Sequence, residues 1–359
     1  MSRRERLATT PERRESTSVA LGRPVGDAAE VLRTDAPVRA EAAACGADGP
    51  RVSVRRAASA RRVWLALIIV YIAWGSTYVA IRVMDRTAPP LIAAGVRFVL
   101  AGAAMYAFIA VRRGRLPRVS ARELASLTLV ALLLLAGGNG LVTYAERRVP
   151  AGLAALLVAS MPLWLLVIRS FTGDRPRRAT LVGLAVGFVG VGLLVSRGNQ
   201  GGVNVAHMLV VVLGALSWAL GSWASARLPL PEDAATGTAF EMLIGGAALG
   251  VIGPLGGEHW SALFAHASAD AWIAIVYLAL FGSILAFTAY VWLLQNAPIS
   301  QISTYAYINP IVAVGLGTLI LGEAVTPIMV LGGAIIVVAV AVVIRAETRT
   351  APEIVGASP

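Results

Sequence analysis

The sequence predicts an all-α membrane protein with ten transmembrane helices, arranged as a 5+5 inverted-topology repeat. Composition is the first reason, because 57% of its 359 residues are hydrophobic and only 14% are charged, whereas soluble domains carry ~25% charged residues. Segment length is the second, since apolar runs follow one another from Val63 to Ile344. The third is a repeat that divides these runs into two sets of five.

Each apolar run is long enough to cross a bilayer, which requires ~20 apolar residues per helix. Over such lengths only helices satisfy every backbone group inside lipid, and the runs are too uniformly apolar for barrel strands. The predicted spans are roughly 63–81, 90–111, 123–144, 151–170, 178–196, 207–227, 237–256, 271–293, 300–321 and 326–344.

Arginine placement predicts the orientation of the chain. Every basic residue is arginine, and arginines are concentrated in the N-terminal tail and in the loops after the second and fourth spans. Because cytoplasmic loops are enriched in basic residues, we expect both termini in the cytoplasm and a multi-pass protein of the cell (inner or plasma) membrane. The net charge of +11 does not predict nucleic-acid binding, since the arginines do not form one folded basic face.

The two ends of the chain differ from the apolar region. Residues 1–62 are rich in arginine and acidic residues and lack apolar periodicity, which predicts a disordered cytoplasmic tail. The alternative is that part of this tail precedes the true start codon. It has no apolar h-region of a secretory signal, and residues 346–359 are expected to be a short cytoplasmic tail. The single cysteine, Cys45, predicts neither a disulfide nor a thiol metal site, and we expect no metal and no cofactor.

Two stretches of the chain repeat one pattern. VASMPLWLLVIRSFTGD at 158–174 and YAYINPIVAVGLGTLILGE at 305–323 each contain an early proline and end on glycine followed by an acid. Upstream, Trp74 in WGST corresponds to Trp218 in WALGS, 144 residues later. The chain therefore reads as two copies of five spans.

These copies are predicted at 63–197 and 206–345. Because five is odd, the second copy must enter the membrane in the opposite orientation. Many secondary transporters are built from such inverted repeats, with the substrate site at the repeat interface.

The motifs WGSTYVAIR and GGNGLVTYAE, together with the proline-bearing fourth and ninth spans, resemble the EamA family of the drug/metabolite transporter superfamily. The stretches FEML, LALFGSILAFTAY and TYAYINPIVAVGLGTLILGE resemble its YedA-like branch in particular. The resemblance covers about 65–344. It implies two EamA domains and export or exchange of small metabolites or drugs. The long arginine-rich tail departs from the short N-termini usual in that family.

Arg97 and Glu241 are the first candidate site residues, since they correspond at the offset of 144 residues. A charge at membrane depth is costly and should face protein or water. We hypothesise that both line a central cavity, that they pair, and that Glu241 accepts a proton. The alternatives are a structural ion pair for Arg97 and a solvated Glu241 at the cytoplasmic end of its span.

Two more polar candidates belong to the third span. Asn139 within GGNG would offer an amide to the substrate, although the glycines themselves favour close helix packing. Glu146 ends the span beside Arg147 and Arg148, which favours an ionised interfacial residue. Its alternative role is in substrate or proton access, as a coupling or gating residue.

Aromatic residues lie well inside the first and sixth spans. Trp74, Tyr78 and Trp218 are expected to line the cavity, where aromatic rings stack on organic solutes and bind cations. Residues of this type near span ends are more typically interfacial anchors.

Pro162 and Pro310 occupy matching positions and each removes one backbone hydrogen bond, which predicts matching kinks that serve as a hinge or gate. The alternative is that bent helices only make room for a cavity. Tyr305 and Asn309, four residues apart, share a helix face and form a predicted polar wall of the binding site.

Asp174 and Glu323 close the fourth and ninth spans just before the next helix. An acid at a helix N-terminus caps it and is favoured by the helix dipole. We therefore expect both to be structural.

A secondary active transporter that works by alternating access, coupled to protons or to exchange, is the function these patterns favour. Export is expected from the resemblance, with an uptake permease for a small polar metabolite as the alternative. A membrane enzyme is disfavoured because no histidine has an acid at metal or catalytic spacing. The expected partners are a small-molecule substrate and the lipid bilayer, with protons as a further candidate. Neither the substrate nor the oligomeric state is predicted.

Overall fold

The computed structural model describes residues 59–172, 178–196, 204–297, 299–302 and 304–348. Within these ranges every regular element is helical, in agreement with the predicted fold class. The predictions for Asp174, for residues 1–58 and for residues 349–359 lie outside the described residues.

The helices are numbered in chain order, and π denotes segments with the wider π-helical turn. They are α1 (Ala60–Met84), α2 (Pro90–Arg113), α3 (Ala121–Ala131), π1 (Leu132–Asn139), α4 (Gly140–Glu146), α5 (Ala151–Val158), α6 (Met161–Phe171), α7 (Arg178–Ser196), α8 (Val205–Ser225), α9 (Ala234–Leu255), α10 (Trp260–His266), α11 (Ala269–Tyr277), π2 (Leu278–Leu285), α12 (Ala286–Asn296), α13 (Ile299–Ile302), α14 (Tyr305–Leu321) and α15 (Pro327–Thr348).

In the described part of the chain, eight helical stretches are long and apolar enough to cross a membrane. They are Ala60–Met84, Pro90–Arg113, Ala121–Glu146, Ala151–Phe171, Val205–Ser225, Ala234–Leu255, Ala269–Leu293 and Pro327–Arg345. Two shorter apolar helices, Thr180–Ser196 and Tyr305–Leu321, lie where the fifth and ninth spans are predicted.

Local sequence signals explain where several of these helices begin and end. Ser120 and Glu123 form a capping box at the start of α3, and Asp233 accepts a hydrogen bond from the Thr236 N–H at the start of α9. Both arrangements satisfy backbone donors that have no partner within the helix. Helix α2 ends at Gly114, whose φ of 62° is the left-handed conformation that glycine adopts most readily.

Helices α2 and α9 cross at glycines, with backbone against backbone. A Cβ built on Gly95 would lie 2.8 Å from the carbonyl oxygen of Gly246, and one on Gly102 would lie 2.9 Å from that of Ala239. Because contacts move backward along α9 as they move forward along α2, the two helices are antiparallel. Small residues allow this approach, as is common between transmembrane helices.

Helices α7 and α15 are packed in the same way. A Cβ built on Gly190 would lie 3.0 Å from the carbonyl oxygen of Gly332, and one on Gly183 would lie 3.6 Å from that of Ala339. These contacts also run in opposite directions along the two helices, which are therefore antiparallel.

Two π-helical segments interrupt long helices at positions 146 residues apart, Leu132 and Leu278. Each accepts a side-chain hydrogen bond from a neighbouring helix. The Leu133 carbonyl accepts from Ser217 Oγ of α8 at 2.7 Å, and the Gly282 carbonyl accepts from Trp74 Nε1 of α1 at 3.2 Å. A wide turn presents carbonyls that a regular helix would use internally, and such turns are frequent at functional sites.

The two corresponding prolines have different structural positions. The stretch Ala151–Phe171 is divided into α5 and α6, and Pro162 lies in the first turn of α6. Pro310 instead lies inside α14. The predicted match between the two prolines therefore holds in sequence but not in helical position, because a proline in a first turn removes no helical hydrogen bond.

Candidate functional site

An aromatic group surrounds Trp74 of α1. Its ring centroid lies 5.6 Å from Phe287, 5.2 Å from Tyr290 and 5.2 Å from Tyr305. The Trp74–Phe287 and Trp74–Tyr305 pairs have the edge-to-face geometry that aromatic quadrupoles favour. The structure thus brings two predicted residues, Trp74 and Tyr305, into direct contact, and adds two rings from α12 that the sequence did not single out.

Arg97 of α2 is bound to Asn139 of π1. The Arg97 side chain is 3% exposed, and its Nη2 donates a hydrogen bond of 2.9 Å to Asn139 Oδ1. Its Nε has no hydrogen-bond partner among the described residues. The guanidinium carbon also lies 4.2 Å from the centroid of the Phe98 ring. Two predicted site residues therefore form one hydrogen-bonded pair with a spare donor on Arg97.

The hypothesis that Arg97 pairs with Glu241 is wrong for this structure. Helix side chains turn by 100° per residue, and Arg97 is two residues beyond Gly95, where α2 touches α9. The Arg97 side chain therefore leaves α2 on the side away from α9. Glu241 is likewise two residues beyond Ala239 at the second crossing point, so both side chains diverge from the shared interface. Glu241 is partly buried, and no hydrogen bond or ion pair joins it to Arg97 or Asn139, all three of which the structure describes.

The glycines around Asn139 are used for close packing, as one reading of GGNG predicts. A Cβ on Gly138 would lie 2.9 Å from the ring of Trp218, and one on Gly137 would lie 2.2 Å from Ser217 Oγ. Trp218 of α8 therefore packs against π1 next to Asn139. The sequence does not predict the π-helical winding that accompanies this contact.

Glu146 is buried rather than interfacial, which corrects the first reading of this residue. Its side chain is 0% exposed, and neither carboxyl oxygen has a hydrogen-bond partner in the part of the chain that the structure describes. Arg147 and Arg148 are exposed, because α4 ends at Glu146 and the next residues leave the bundle. Tyr78 lies within electrostatic reach of both Glu146 and Tyr305.

Asp85 is a candidate site residue that the sequence analysis missed. It follows α1 directly, and both carboxyl oxygens are inaccessible to solvent and without a hydrogen-bond partner among the described residues. Burial raises the pKa of the Asp85 carboxyl well above its usual range, although the charges of Arg147 and Arg97 act in the opposite direction. The available signal was an acid between Arg82 and Arg86 at the end of an apolar span.

Asn309 and Pro310 of α14 are both buried, and the Asn309 Oδ1 has no hydrogen-bond partner among the described residues. A Cβ on Gly75 of α1 would lie 3.2 Å from the Asn309 carbonyl oxygen and 2.6 Å from the Val312 side chain. The predicted polar wall of Tyr305 and Asn309 thus lies directly against α1.

Glu323 caps a helix, but not the one that follows it. Its Oε1 and Oε2 accept hydrogen bonds of 2.8 and 3.1 Å from the Ala151 and Gly152 N–H groups at the start of α5. The chain turns back at Gly322, which has a φ of 68°, and this turn directs Glu323 away from α15. The acid is structural, as expected, but it joins two distant parts of the chain.

Glu258 makes an equivalent connection elsewhere. Its carboxyl oxygens accept hydrogen bonds of 3.1 and 2.9 Å from the Leu91 and Ile92 N–H groups in the first turn of α2. Two helix N-termini in the first part of the chain are therefore held by acids from the second.

Replacing Glu323 with glutamine should lower the melting temperature of the purified protein. An amide offers one acceptor oxygen, so one of the two backbone N–H groups of α5 loses its partner, and hydrogen bonds to charged groups contribute ~1.5–3 kcal/mol. Glu232→Gln, at an exposed position, is the control and should leave the unfolding curve unchanged. Equal melting temperatures for the two variants would show that the cap contributes little.

The sequence profile of the EamA-like transporter family matches residues 62–196 and, a second time, residues 206–345. The chain belongs to the EamA-like transporter family. Membership makes it a multi-pass membrane transporter, in agreement with its apolar helices, and the two matches show two EamA domains.

Individual relatives agree with this assignment. The chain is 43% identical over 279 residues to the "Uncharacterized inner membrane transporter YedA" of Escherichia coli (strain K12), covering 77% of this chain and 89% of that protein. It is 24% identical over 287 residues to the "Probable amino-acid metabolite efflux pump" of Salmonella typhimurium (strain LT2), covering 77% and 92%. The printed name of the Escherichia coli relative, together with the apolar helices, supports an inner-membrane location.

A solved crystal structure has the same fold. It superposes with a TM-score of 0.53 at 21% identity, covering 81% of this EamA chain and 99% of the solved one. At this level of identity the similarity concerns the fold alone.

Proposed function

We propose that this EamA protein is a secondary active transporter that exports small zwitterionic metabolites by alternating access, driven by protons or by exchange. The observation that carries the proposal is the buried Arg97, which is hydrogen-bonded to Asn139 and keeps one guanidinium N–H free within an apolar helical protein. A cationic side chain at membrane depth is costly, and such residues typically pair with other groups or line a substrate pathway.

The inverted 5+5 repeat is part of this proposal, and the helix crossings support it. A shift of 144 residues converts the Gly95–Gly246 contact into the Ala239–Gly102 contact, which is also present. A shift of 149 residues does the same for Gly190–Gly332 and Ala339–Gly183. Antiparallel helices whose contacts exchange in this way are expected for two halves related by an axis in the membrane plane.

On this basis the eight long stretches and the two shorter apolar helices make ten spans, with both termini cytoplasmic. The repeats would be residues 63–197 and 206–345, flanked by cytoplasmic tails at 1–62 and 346–359. The paired π-helical segments fit the same scheme, because each packs against the first span of the other repeat.

The substrate class follows from the chemistry of the site. Arg97 suits a carboxylate, since its guanidinium forms charge-assisted hydrogen bonds. Trp74, Tyr305 and their neighbours suit an apolar or aromatic side group. The printed name of the Salmonella relative, an amino-acid metabolite efflux pump, supports amino acids and their derivatives as the first class to test.

Thermal stabilisation of the purified protein would test this proposal with a panel of amino acids, nucleosides, sugars and cationic dyes. A ligand that binds only the folded state stabilises it by ~2.7 kcal/mol at one hundred times its dissociation constant. Amino acids should raise the melting temperature of the wild type but not of Arg97→Ala. Arg115→Ala, at an exposed loop position, should respond like the wild type.

A second variant separates binding from folding. Asn139→Ala leaves Arg97 in place but removes its hydrogen-bond acceptor, so it should weaken the response to amino acids without abolishing it. If amino acids stabilise the wild type and Arg97→Ala to the same extent, the proposal that Arg97 binds the substrate is wrong. A response to dyes alone would indicate a drug transporter instead.

A further inference from the structure

We propose that Glu146 is the coupling site of this transporter, and that it binds alternately a proton and the ammonium group of the substrate. The inference rests on the proposed transport function, and it names Glu146 in place of Glu241 as the coupling acid. It is carried by the geometry around Glu146 and by the chemistry of its neighbours.

The Glu146 carboxyl group has no hydrogen-bond donor among the described residues. It is 0% exposed, and neither carboxyl oxygen accepts a hydrogen bond from any described residue. An ionised carboxylate without partners is strongly disfavoured away from water, and the group becomes neutral instead. In this conformation Glu146 therefore holds a proton.

Three elements face Glu146 with charged or titratable groups. Helix α1 and its C-terminus contribute Tyr78, Arg82 and Asp85, helix α2 contributes Arg97, and the turn after α14 contributes Glu323. Counting Glu146 itself, three acids and two arginines lie in this group, so the two signs of charge nearly balance.

Both arginines near Glu146 donate their hydrogen bonds to groups other than its carboxyl group. Arg82 Nη1 donates to the backbone carbonyl of Glu146, and Arg97 Nη2 donates to Asn139. Glu323 is held by the first turn of α5. The carboxyl group of Glu146 is therefore available to bind a mobile cation, either a proton or an ammonium group.

The position of Glu146 relative to Arg97 suits a zwitterion. Arg97 lies within electrostatic reach of Glu146, so a substrate carboxylate on Arg97 would bring its ammonium group toward Glu146. On binding, the carboxyl O–H bond of Glu146 breaks, the proton passes to water, and the carboxylate pairs with the intact ammonium group. Proton and substrate then exclude each other, which is the requirement for proton-driven export.

Infrared spectroscopy of the protein in lipid bilayers tests proton binding without any substrate. The wild type should show the carbonyl stretch of a protonated carboxyl group without hydrogen bonds, and this band should disappear as the pH is raised. Glu146→Gln should lack that component, whereas Glu232→Gln should retain it. Asp85→Asn separates the infrared signal of the Asp85 carboxyl group from that of Glu146. Superimposable titrations for wild type and Glu146→Gln would overturn the proposal.

Transport in proteoliposomes tests the coupling, with the amino acid that most stabilises the wild type as the probe. Glu146→Gln mimics the protonated carboxyl group and should fold normally. It should lose accumulation driven by a pH gradient, down to the level of protein-free vesicles, and Glu146→Asp should restore part of it. Gradient-driven accumulation by Glu146→Gln would overturn the proposal. If the wild type transports no amino acid, the proposed function fails, and the infrared titration still decides whether Glu146 binds a proton.

Discussion

Replacing Gly246 with valine should prevent the protein from reaching its folded state in the membrane. A Cβ at this position would lie 2.8 Å from the carbonyl oxygen of Gly95 and 2.8 Å from the backbone nitrogen of Val99. Overpacking in a core costs ~1–3 kcal/mol and occasionally more. The obstructing atoms here belong to the backbone and cannot change rotamer, so α2 and α9 would have to separate.

The matched control for this prediction is Gly192→Ala in α7. Gly192 is exposed, and a Cβ built there meets no atom within 4 Å. Because alanine is favoured over glycine in helices by ~1 kcal/mol, this variant should be neutral or slightly stabilised. The yield of monodisperse protein and its melting temperature would be measured for both variants. A Gly246→Val protein that purifies and melts like the control would show that the crossing is looser than the structure indicates.

Removal of the Trp74 ring should have the second largest effect, on both binding and stability. Trp74→Ala loses three ring contacts and the hydrogen bond from Nε1 to the Gly282 carbonyl. Each aromatic pair contributes ~0.5–1.5 kcal/mol. The three pairs together are therefore comparable with the stabilisation that a bound ligand gives the folded state, ~2.7 kcal/mol at one hundred times its dissociation constant. The variant should melt earlier and should lose stabilisation by aromatic amino acids before that by small ones.

Two further tryptophan variants show whether the effect of Trp74→Ala comes from the ring, from its hydrogen bond or from the loss of any tryptophan on this helix. Trp74→Phe retains a ring but cannot donate to Gly282, so it should recover most of the binding and only part of the stability. Trp64→Ala removes a tryptophan that is exposed on the same helix and should change neither property. Ligand-induced shifts in melting temperature would be compared across the three variants. Equal losses for Trp74→Ala and Trp64→Ala would remove Trp74 from the site.

Run length and polarity were sufficient to predict the helices, because a bilayer imposes one length and one backbone geometry on each apolar segment. The third span, predicted at 123–144, is Ala121–Glu146 in the structure. The π-helical segments could not be predicted in this way. Their winding depends on which neighbouring side chain donates a hydrogen bond to the unpaired carbonyl, as Ser217 does to the Leu133 carbonyl.

The sequence predicted several residues of the candidate site, but it did not predict which of them are in contact. Correspondence between repeats identified Arg97 and Trp74, but it relates positions and does not establish contact. Which way Arg97 leaves its helix depends on where α2 meets α9, and that crossing is a property of packing. Glu146 was misplaced for a related reason, since neighbouring arginines in sequence do not show whether a helix ends inside or outside the bundle.

The position of α1 has a consequence for the biogenesis of the protein. Tyr71 of α1 hydrogen-bonds Thr304, which follows it by 233 residues, and Gly75 packs against Val312 of α14. A ribosome adds ~5–20 residues per second, so the first helix must wait on the order of tens of seconds for its partner. During that interval Trp74 and Ser76 face lipid or the insertion machinery. A truncated chain that ends before α14 would therefore leave α1, which carries Trp74 and Ser76, without this partner helix. Membrane proteases should degrade such a chain.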